Sequence, residues 1–275
     1  MPHPCPADSH YDMLKDLRNI VDGWDYEPGR ISVRKIIGKR GEERIQTRID
    51  LGVLQMLLDG RPDGERPNGH ESLIDYFDER VRRHVELYGD DDDFVLSGED
   101  CQELRHEAYL YYQRYLSLFV LEDYERVVRD TATNLRAIEL CEQYAVARED
   151  RLAMSAQRTY VTMMNARARA HLALELGEAG RALSAVDAGL RSVAALGRAN
   201  DAADAPNIAG EMRILRELRQ QVLENLPEQS PERLEWQLRE ALEAEDYEAA
   251  ARLRDALADA HESAELTDDG GPAAS

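Results

Sequence analysis

A mainly α-helical protein with a small N-terminal α+β region is the fold class that the sequence predicts, and three observations support it. Leu, Ala, Glu and Arg dominate the 275 residues, and aromatic residues make up 6 % of them, a mixture that suits long helices. Apolar residues recur at steps of three and four over most of the chain after residue 72. One stretch, residues 31–49, alternates apolar and polar residues as a β-hairpin does.

Charge and cysteine usage restrict the class of protein further. The net charge of −21 disfavours general adhesion to nucleic acid or to an anionic membrane. Cys5, Cys101 and Cys141 form neither a CxxC zinc pattern nor a disulfide framework, which favours a reducing cytoplasm. The first ten residues lack the basic start and apolar core of a signal peptide. We therefore expect a cytoplasmic protein.

The N-terminal region, residues 1–89, is predicted to contain the β-hairpin between short helices. Ser9 can cap a first helix that carries Leu14 and Leu17. Apolar and polar residues alternate along both strands of the hairpin, on either side of a turn at 38–41. Asp50 then suits the N-cap of a short helix, predicted over Leu51 to Leu58.

One face of this hairpin is basic, since residues 30–48 hold seven Lys and Arg against two Glu. Three uses remain open for it: a solvated or internally paired surface, contact with an acidic protein, or nucleic-acid binding. No aromatic residue lies within residues 30–48 to stack on a base, which weighs against the third use. The residues of this possible anionic-partner face are Arg34, Arg40, Arg44 and Arg48.

A loop rich in Gly and Pro, residues 60–69, follows this region. Proline fixes φ and glycine permits positive φ, so the loop is predicted to be ordered and to pack the hairpin against the next helix. A ligand-binding or enzymatic use of this loop remains an alternative. A helix is predicted from Ser72 to Tyr88, and Gly89 with the acids Asp90 to Asp93 is predicted to form a solvated domain boundary.

The central region, residues 97–198, is predicted to form antiparallel helical hairpins. Ser97 and Asp100 fit a capping box, and helices are expected over 98–120, 122–146, 149–176 and 178–197. The corners at 121–124 and 176–179 resemble the turn of a tetratricopeptide repeat (TPR), although 55 residues separate them instead of about 34. Such arrays leave a groove for a peptide or helix. Two alternatives remain for the tyrosines of this region: they pack in the core, or they line that groove. These tyrosines are Tyr109, Tyr111, Tyr112 and Tyr115.

The C-terminal region, residues 208–260, is predicted to contain an amphipathic helix and then a short helical hairpin. Leu234, Leu238 and Leu242 lie on one stripe of the first hairpin helix. Asp246 suits the N-cap of the second helix, whose face carries Tyr247, Ala250, Leu253 and Leu257. So small a hairpin cannot bury enough apolar surface to be stable alone, so it is expected to dock on another surface. The acidic residues 261–275 are predicted to be a disordered tail.

The hairpin at 232–260 also resembles the UVR (UvrB/UvrC) motif. The resemblance depends on the turn Glu245-Asp246-Tyr247-Glu248, followed by Ala250-Ala251 and by Arg254-Asp255. It implies a helical hairpin that docks on protein partners, such as other UVR-bearing proteins or a second copy of this chain. The implied interaction residues are Leu234, Leu238, Leu242, Tyr247, Ala250, Leu253, Arg254, Asp255 and Leu257.

Catalytic and metal-binding patterns are missing from the sequence: it contains no GxSxG, HExxH or GxGxxG motif and no paired Cys/His ligands. We expect no catalytic residue, no metal site and no cofactor. The leading hypothesis is a bacterial cytoplasmic adaptor that does not bind membranes. The alternatives are a nucleic-acid-associated excision-repair accessory that uses the basic face, and an enzyme with a site near residues 60–70.

Overall fold

The computed structural model describes residues 17–199 and 208–268, with side chains through 198 and from 208 to 260. It is mainly helical, with a small antiparallel sheet near the N-terminus, as predicted. A single helical turn, α1 (Arg18–Val21), precedes the sheet. The predicted Ser9 cap and Leu14 lie outside the described residues, as do residues 200–207.

The sheet has three strands in the order β1 (Ser32–Ile37), β2 (Glu43–Ile49) and β3 (Gly52–Leu57). The helix predicted over Leu51 to Leu58 is therefore wrong. The segment pairs with β2 instead, with Met56 opposite Ile45 and Leu54 opposite Thr47. A two-stranded hairpin is marginal by itself, so the third strand gains more from tertiary pairing than a short helix would gain from local propensity.

The sheet packs on the helices through its apolar face. Ile45 and Met56 are buried in the larger hydrophobic cluster, together with Tyr115 and Leu118 of the helical region. Thr47 and Ser117 share a buried hydrogen bond of 2.6 Å between their hydroxyl oxygens. A polar contact thus fixes the sheet at one position within an apolar interface.

The next helix, α2 (Leu73–Tyr88), follows a 3₁₀ turn at Pro67–Gly69. The Ser72 hydroxyl caps its N-terminus by accepting from the Asp75 N–H, and Gly89 ends it in the left-handed conformation. Both ends agree with the helix predicted over Ser72 to Tyr88.

The segment after α2 is anchored, although a solvated boundary was predicted there. Asp91 accepts hydrogen bonds from the Tyr144 hydroxyl at 2.5 Å and from Gln143 at 2.9 Å. Phe94 and Leu96 are buried in a second hydrophobic cluster that joins α2 to the helical region. Asp90, Asp92 and Asp93 are exposed, whereas the apolar residues just after them supply core contacts.

Four long helices form the central region: α3 (Gly98–Val120), α4 (Tyr124–Tyr144), α5 (Arg148–Glu175) and α6 (Ala179–Ala199). These bounds confirm the predicted helices to within a few residues, and Ser97 and Asp100 form the predicted capping box. The helices α5 and α6 approach closely, because a Cβ on Gly189 would lie 2.4 Å from the Ala166 methyl group.

The C-terminal helices are α7 (Ile208–Asn225), α8 (Pro231–Glu243) and α9 (Tyr247–Asp268). Leu215, Leu218 and Val222 of α7 are buried in the larger cluster. The helix α9 continues through Asp268, into the segment that was predicted to be disordered, because alanine, leucine and glutamate there are strong helix formers. Residues 269–275 lie outside the described residues.

Three helical corners share one backbone geometry. The second residue after each first helix has positive φ: 58° at Glu122, 73° at Gly177 and 58° at Glu245. The following N–H donates in each case to the carbonyl five residues earlier, as in a Schellman motif. The fifth residue after the positive-φ position is buried at every corner (Val127, Ala182 and Ala250). The three helical hairpins therefore share one type of turn. They are α3–α4, α5–α6 and α8–α9.

Candidate protein-interaction surfaces

The hairpin α8–α9 covers only part of its apolar surface. Leu234 and Ala250 are each 5 % exposed, whereas Leu242 is 51 % and Tyr247 is 68 % exposed. The other predicted apolar interaction residues, Leu238, Leu253 and Leu257, are half-buried. The structure therefore places these residues on one hairpin and leaves two of them, Leu242 and Tyr247, exposed.

One end of the hairpin attaches it to the rest of the chain. The Arg233 guanidinium donates to the Leu226 carbonyl at 2.6 Å, at the C-terminal end of α7. Trp236 packs against the larger cluster. Arg233 and Trp236 both lie in the first half of α8, whereas Leu242 near its end and Tyr247 at the start of α9 are exposed.

The polar residues that carry the UVR resemblance have local roles. Asp246 caps α9 as predicted, because its carboxylate accepts from the Ala249 N–H at 3.0 Å. Arg254 and Asp255 form an ion pair with each other at 2.6 Å, and both side chains are 69 % exposed. An exposed pair of this kind contributes little to stability, so both residues are available to a partner.

A groove runs along α5, with α4 and α6 as its walls. It comprises two adjoining depressions of about 320 and 550 Å³ that share Arg169, Ala185 and Ala188. Small residues of α6 form much of its surface. Two of its arginines are ion-paired, Arg158 with Glu142 and Arg181 with Glu178. Its shape suits a helix or an extended peptide, as expected of a helical array.

The tyrosines of α3 do not line this groove. Tyr111 and Tyr115 are buried in the core, at 5 % and 0 % exposure, and burial raises the pKa of both phenols. Tyr109 is exposed and stacks on Tyr112, with ring centroids 6.3 Å apart. Tyr111 and Tyr115 therefore pack in the core, which was one of the two alternatives for these tyrosines.

The basic face of the sheet is largely occupied by contacts within the chain. Arg34 donates to the Gln46 amide oxygen at 2.7 Å and lies over the Trp24 ring at 4.0 Å. Arg48 donates to the Trp24 carbonyl and lies 5.0 Å from the Tyr26 ring. Internal pairing, one of the uses left open for this face, thus engages both arginines.

The remaining arginines of this face meet a carboxylate of the β1–β2 turn. Arg44 forms an ion pair with Glu42 at 2.7 Å, and Arg40 lies 4.0 Å from the same group. The backbone N–H of Glu42, followed by Arg44, keeps the pKa of this carboxyl below its usual range. Residues 30–48 hold no aromatic residue, but Trp24 and Tyr26 lie among these charges in space, which the sequence did not reveal.

The Gly- and Pro-rich loop 60–69 is held by a buried charge. Glu107 of α3 is fully buried and accepts from the Leu73 and Ile74 N–H groups at the start of α2. Arg61 lies 3.4 Å from it and 3.2 Å from Asp63. Burial raises the pKa of Glu107, while the Leu73 N–H and Arg61 oppose that shift. The loop therefore packs as predicted, beside an open depression of about 560 Å³ that His106 and Glu103 also line.

A buried ion pair that the sequence did not predict joins α3 to α4. Arg114 makes two hydrogen bonds to Asp130, at 2.7 and 2.8 Å, and both side chains are fully buried. Arg114 also donates to the carbonyls of Leu57 and Gly60. Arginine at helical spacing is usually a surface residue, so no local pattern distinguishes this one.

Across residues 17–199 and 208–268, no group of three or more His, Cys, Asp or Glu residues is placed to hold a metal ion. Within those two ranges, no helix has both the length and the apolar character needed to cross a membrane. No family model, curated protein or solved structure matches this chain.

Proposed function

We propose that this chain is a non-enzymatic adaptor that binds protein partners through the α8–α9 hairpin and the groove along α5. The observation that carries the proposal is the exposure of Leu242 and Tyr247 beside the half-buried Leu238 and Leu253. Exposed apolar groups grouped on one surface are typical of interaction sites.

The UVR resemblance supports the same assignment. Partners of this class are other UVR-bearing proteins or a second copy of the chain. We place the adaptor in the bacterial cytoplasm, on the basis of that resemblance and of a cysteine pattern without a disulfide framework. The groove along α5 supplies a second surface, so one molecule could hold two partners at once.

We expect Leu238→Asp combined with Leu253→Asp to abolish self-association or partner capture, because charges replace the apolar strip of the hairpin. The residues of α3–α7 should remain folded, since the hairpin residue that packs against their core is Trp236, which both substitutions leave unchanged. Light scattering gives the mass, and affinity purification from the source cell compares the partners of the intact chain with those of residues 1–227. Circular dichroism checks the helical content of each variant.

Two further variants make this test specific. Leu242→Asp changes a side chain that is already exposed, so it should weaken capture without unfolding the hairpin. Leu87→Asp, at a residue of α2 that is 70 % exposed, is the matched control and should have no effect. Unchanged mass and unchanged partners for the hairpin variants would refute the proposed function.

A further inference from the structure

The four residues Glu-Asp-Tyr-Glu occur at two of the three corners, at 122–125 and at 245–248. At the first corner the tyrosine is covered by the next hairpin. The ring of Tyr124 stacks on His171 of α5, with centroids 4.8 Å apart and planes 13° apart. Arg167, one helical turn earlier, lies over the Phe119 ring at 4.5 Å. The face of α5 that carries Arg167 and His171 therefore packs on this corner.

The corner of α8–α9 offers the equivalent positions without a cover. Leu242 stands three residues before the positive-φ residue, as Phe119 does, and Tyr247 stands two residues after it, as Tyr124 does. Both side chains are more than half exposed. In the described part of the chain, no further hairpin follows α9 to take the place that α5 has at the first corner.

The charge around this corner indicates which helix can cover it. Residues 239–252, which include Leu242 and Tyr247, hold five exposed acids against two exposed arginines, Arg239 and Arg252. Two copies of the corner would therefore repel each other if they met face to face. The acids are Glu240, Glu243, Glu245, Asp246 and Glu248.

We propose that the α8–α9 corner binds a basic helix of a partner protein, with a planar or cationic side chain stacked on Tyr247 and an arginine one turn away. This inference depends on the proposed function and specifies the chemistry of the partner. Side chains four residues apart lie on one helix face, so a single helix can reach both Leu242 and Tyr247, as α5 reaches Phe119 and Tyr124. Arginine over an aromatic ring adds attraction that an apolar contact alone lacks.

The probe for this test is a stapled helical peptide with the sequence of residues 160–175, which carries Arg167 and His171. Its binding to the intact chain is followed by fluorescence anisotropy at low salt. Tyr247→Ala should weaken binding about tenfold, within the range of a desolvated cation–π contact. Glu243→Lys combined with Glu248→Lys should weaken it further, and added salt should weaken binding to the unmodified chain.

Two controls separate this site from nonspecific attraction. Tyr88→Ala, at a tyrosine of α2 that is 71 % exposed, should leave peptide binding unchanged. A peptide with Arg167→Glu and His171→Glu should not bind. Equal binding by Tyr247→Ala and the unmodified chain, or binding of the charge-reversed peptide, would overturn the inference. Such a result would leave the proposed function standing as long as the leucine variants still abolish capture.

Discussion

Arg114 and Asp130 show how a pair of buried charges can organise the junction of sheet and helices. A charge removed from water is tolerable only when paired and hydrogen-bonded. Asp130 supplies both oxygens to Arg114, and the carbonyls of Leu57 and Gly60 accept from its remaining edge. One guanidinium thus joins α3, α4 and the end of β3 in a fixed arrangement.

Asp130→Ala should destabilise the protein by about 3–5 kcal/mol, because it leaves the Arg114 guanidinium buried without its counter-ion. Urea unfolding followed by circular dichroism measures the change. Asp59→Ala is the matched control, because Asp59 pairs with Arg126 and Arg129 but its side chain is 65 % exposed, so about 1 kcal/mol or less is expected. An equal loss of unfolding free energy in the two variants would show that the buried pair stabilises the protein no more than the exposed one does.

At the scale of the elements, the helical corners determine how consecutive helices turn back on each other. Each corner has a positive-φ residue at the same position and the same hydrogen bond to the carbonyl five residues earlier, although the type of the positive-φ residue differs. Glycine occupies the left-handed position at residue 177 and glutamate at 122 and 245. An L residue pays a steric cost in that conformation that glycine does not pay.

Opposite substitutions at two corners should therefore have opposite effects. Gly177→Ala should destabilise the protein by about 1 kcal/mol, and Glu122→Gly should stabilise it by a similar amount. A Cβ on Gly177 would meet nothing within 4 Å, so the expected loss comes from the backbone conformation and not from a clash. Urea midpoints of both variants provide the measurement, and midpoints that move in the same direction would contradict the expectation.

Patterns within an element were readable from the sequence, and contacts between elements were not. The ends of α2 and α3 follow from Ser72, Gly89 and the Ser97 capping box, which are local signals. The strand β3 was missed because its six residues fit a helix turn as well as a strand, and only pairing with β2 decides between them. The stacking of Trp24 and Tyr26 on the basic face likewise depends on how the chain folds back.

At the scale of the whole molecule, the sheet and α2–α7 share two hydrophobic clusters, and α8–α9 meets them at one end. Trp236 packs the hairpin against the larger cluster, and Leu234 is buried nearby in the sequence. Beyond that contact, its side chains are mostly exposed or half-buried. The molecule therefore combines a well-packed body with a weakly supported hairpin, the arrangement expected when a partner completes the packing of the hairpin.

Hydrogen exchange should reveal this difference directly. Backbone amides of α8 and α9 should exchange much faster than those of α4 and α5, because local opening costs least where few apolar contacts are lost. Mass spectrometry of peptic fragments after timed labelling measures both regions in one sample. A saturating partner or the basic peptide should slow exchange at α8–α9 selectively, since binding stabilises only the bound form. Equal protection of α4 and α9 in the free chain would mean that the hairpin is stable without a partner and needs no further surface to dock on.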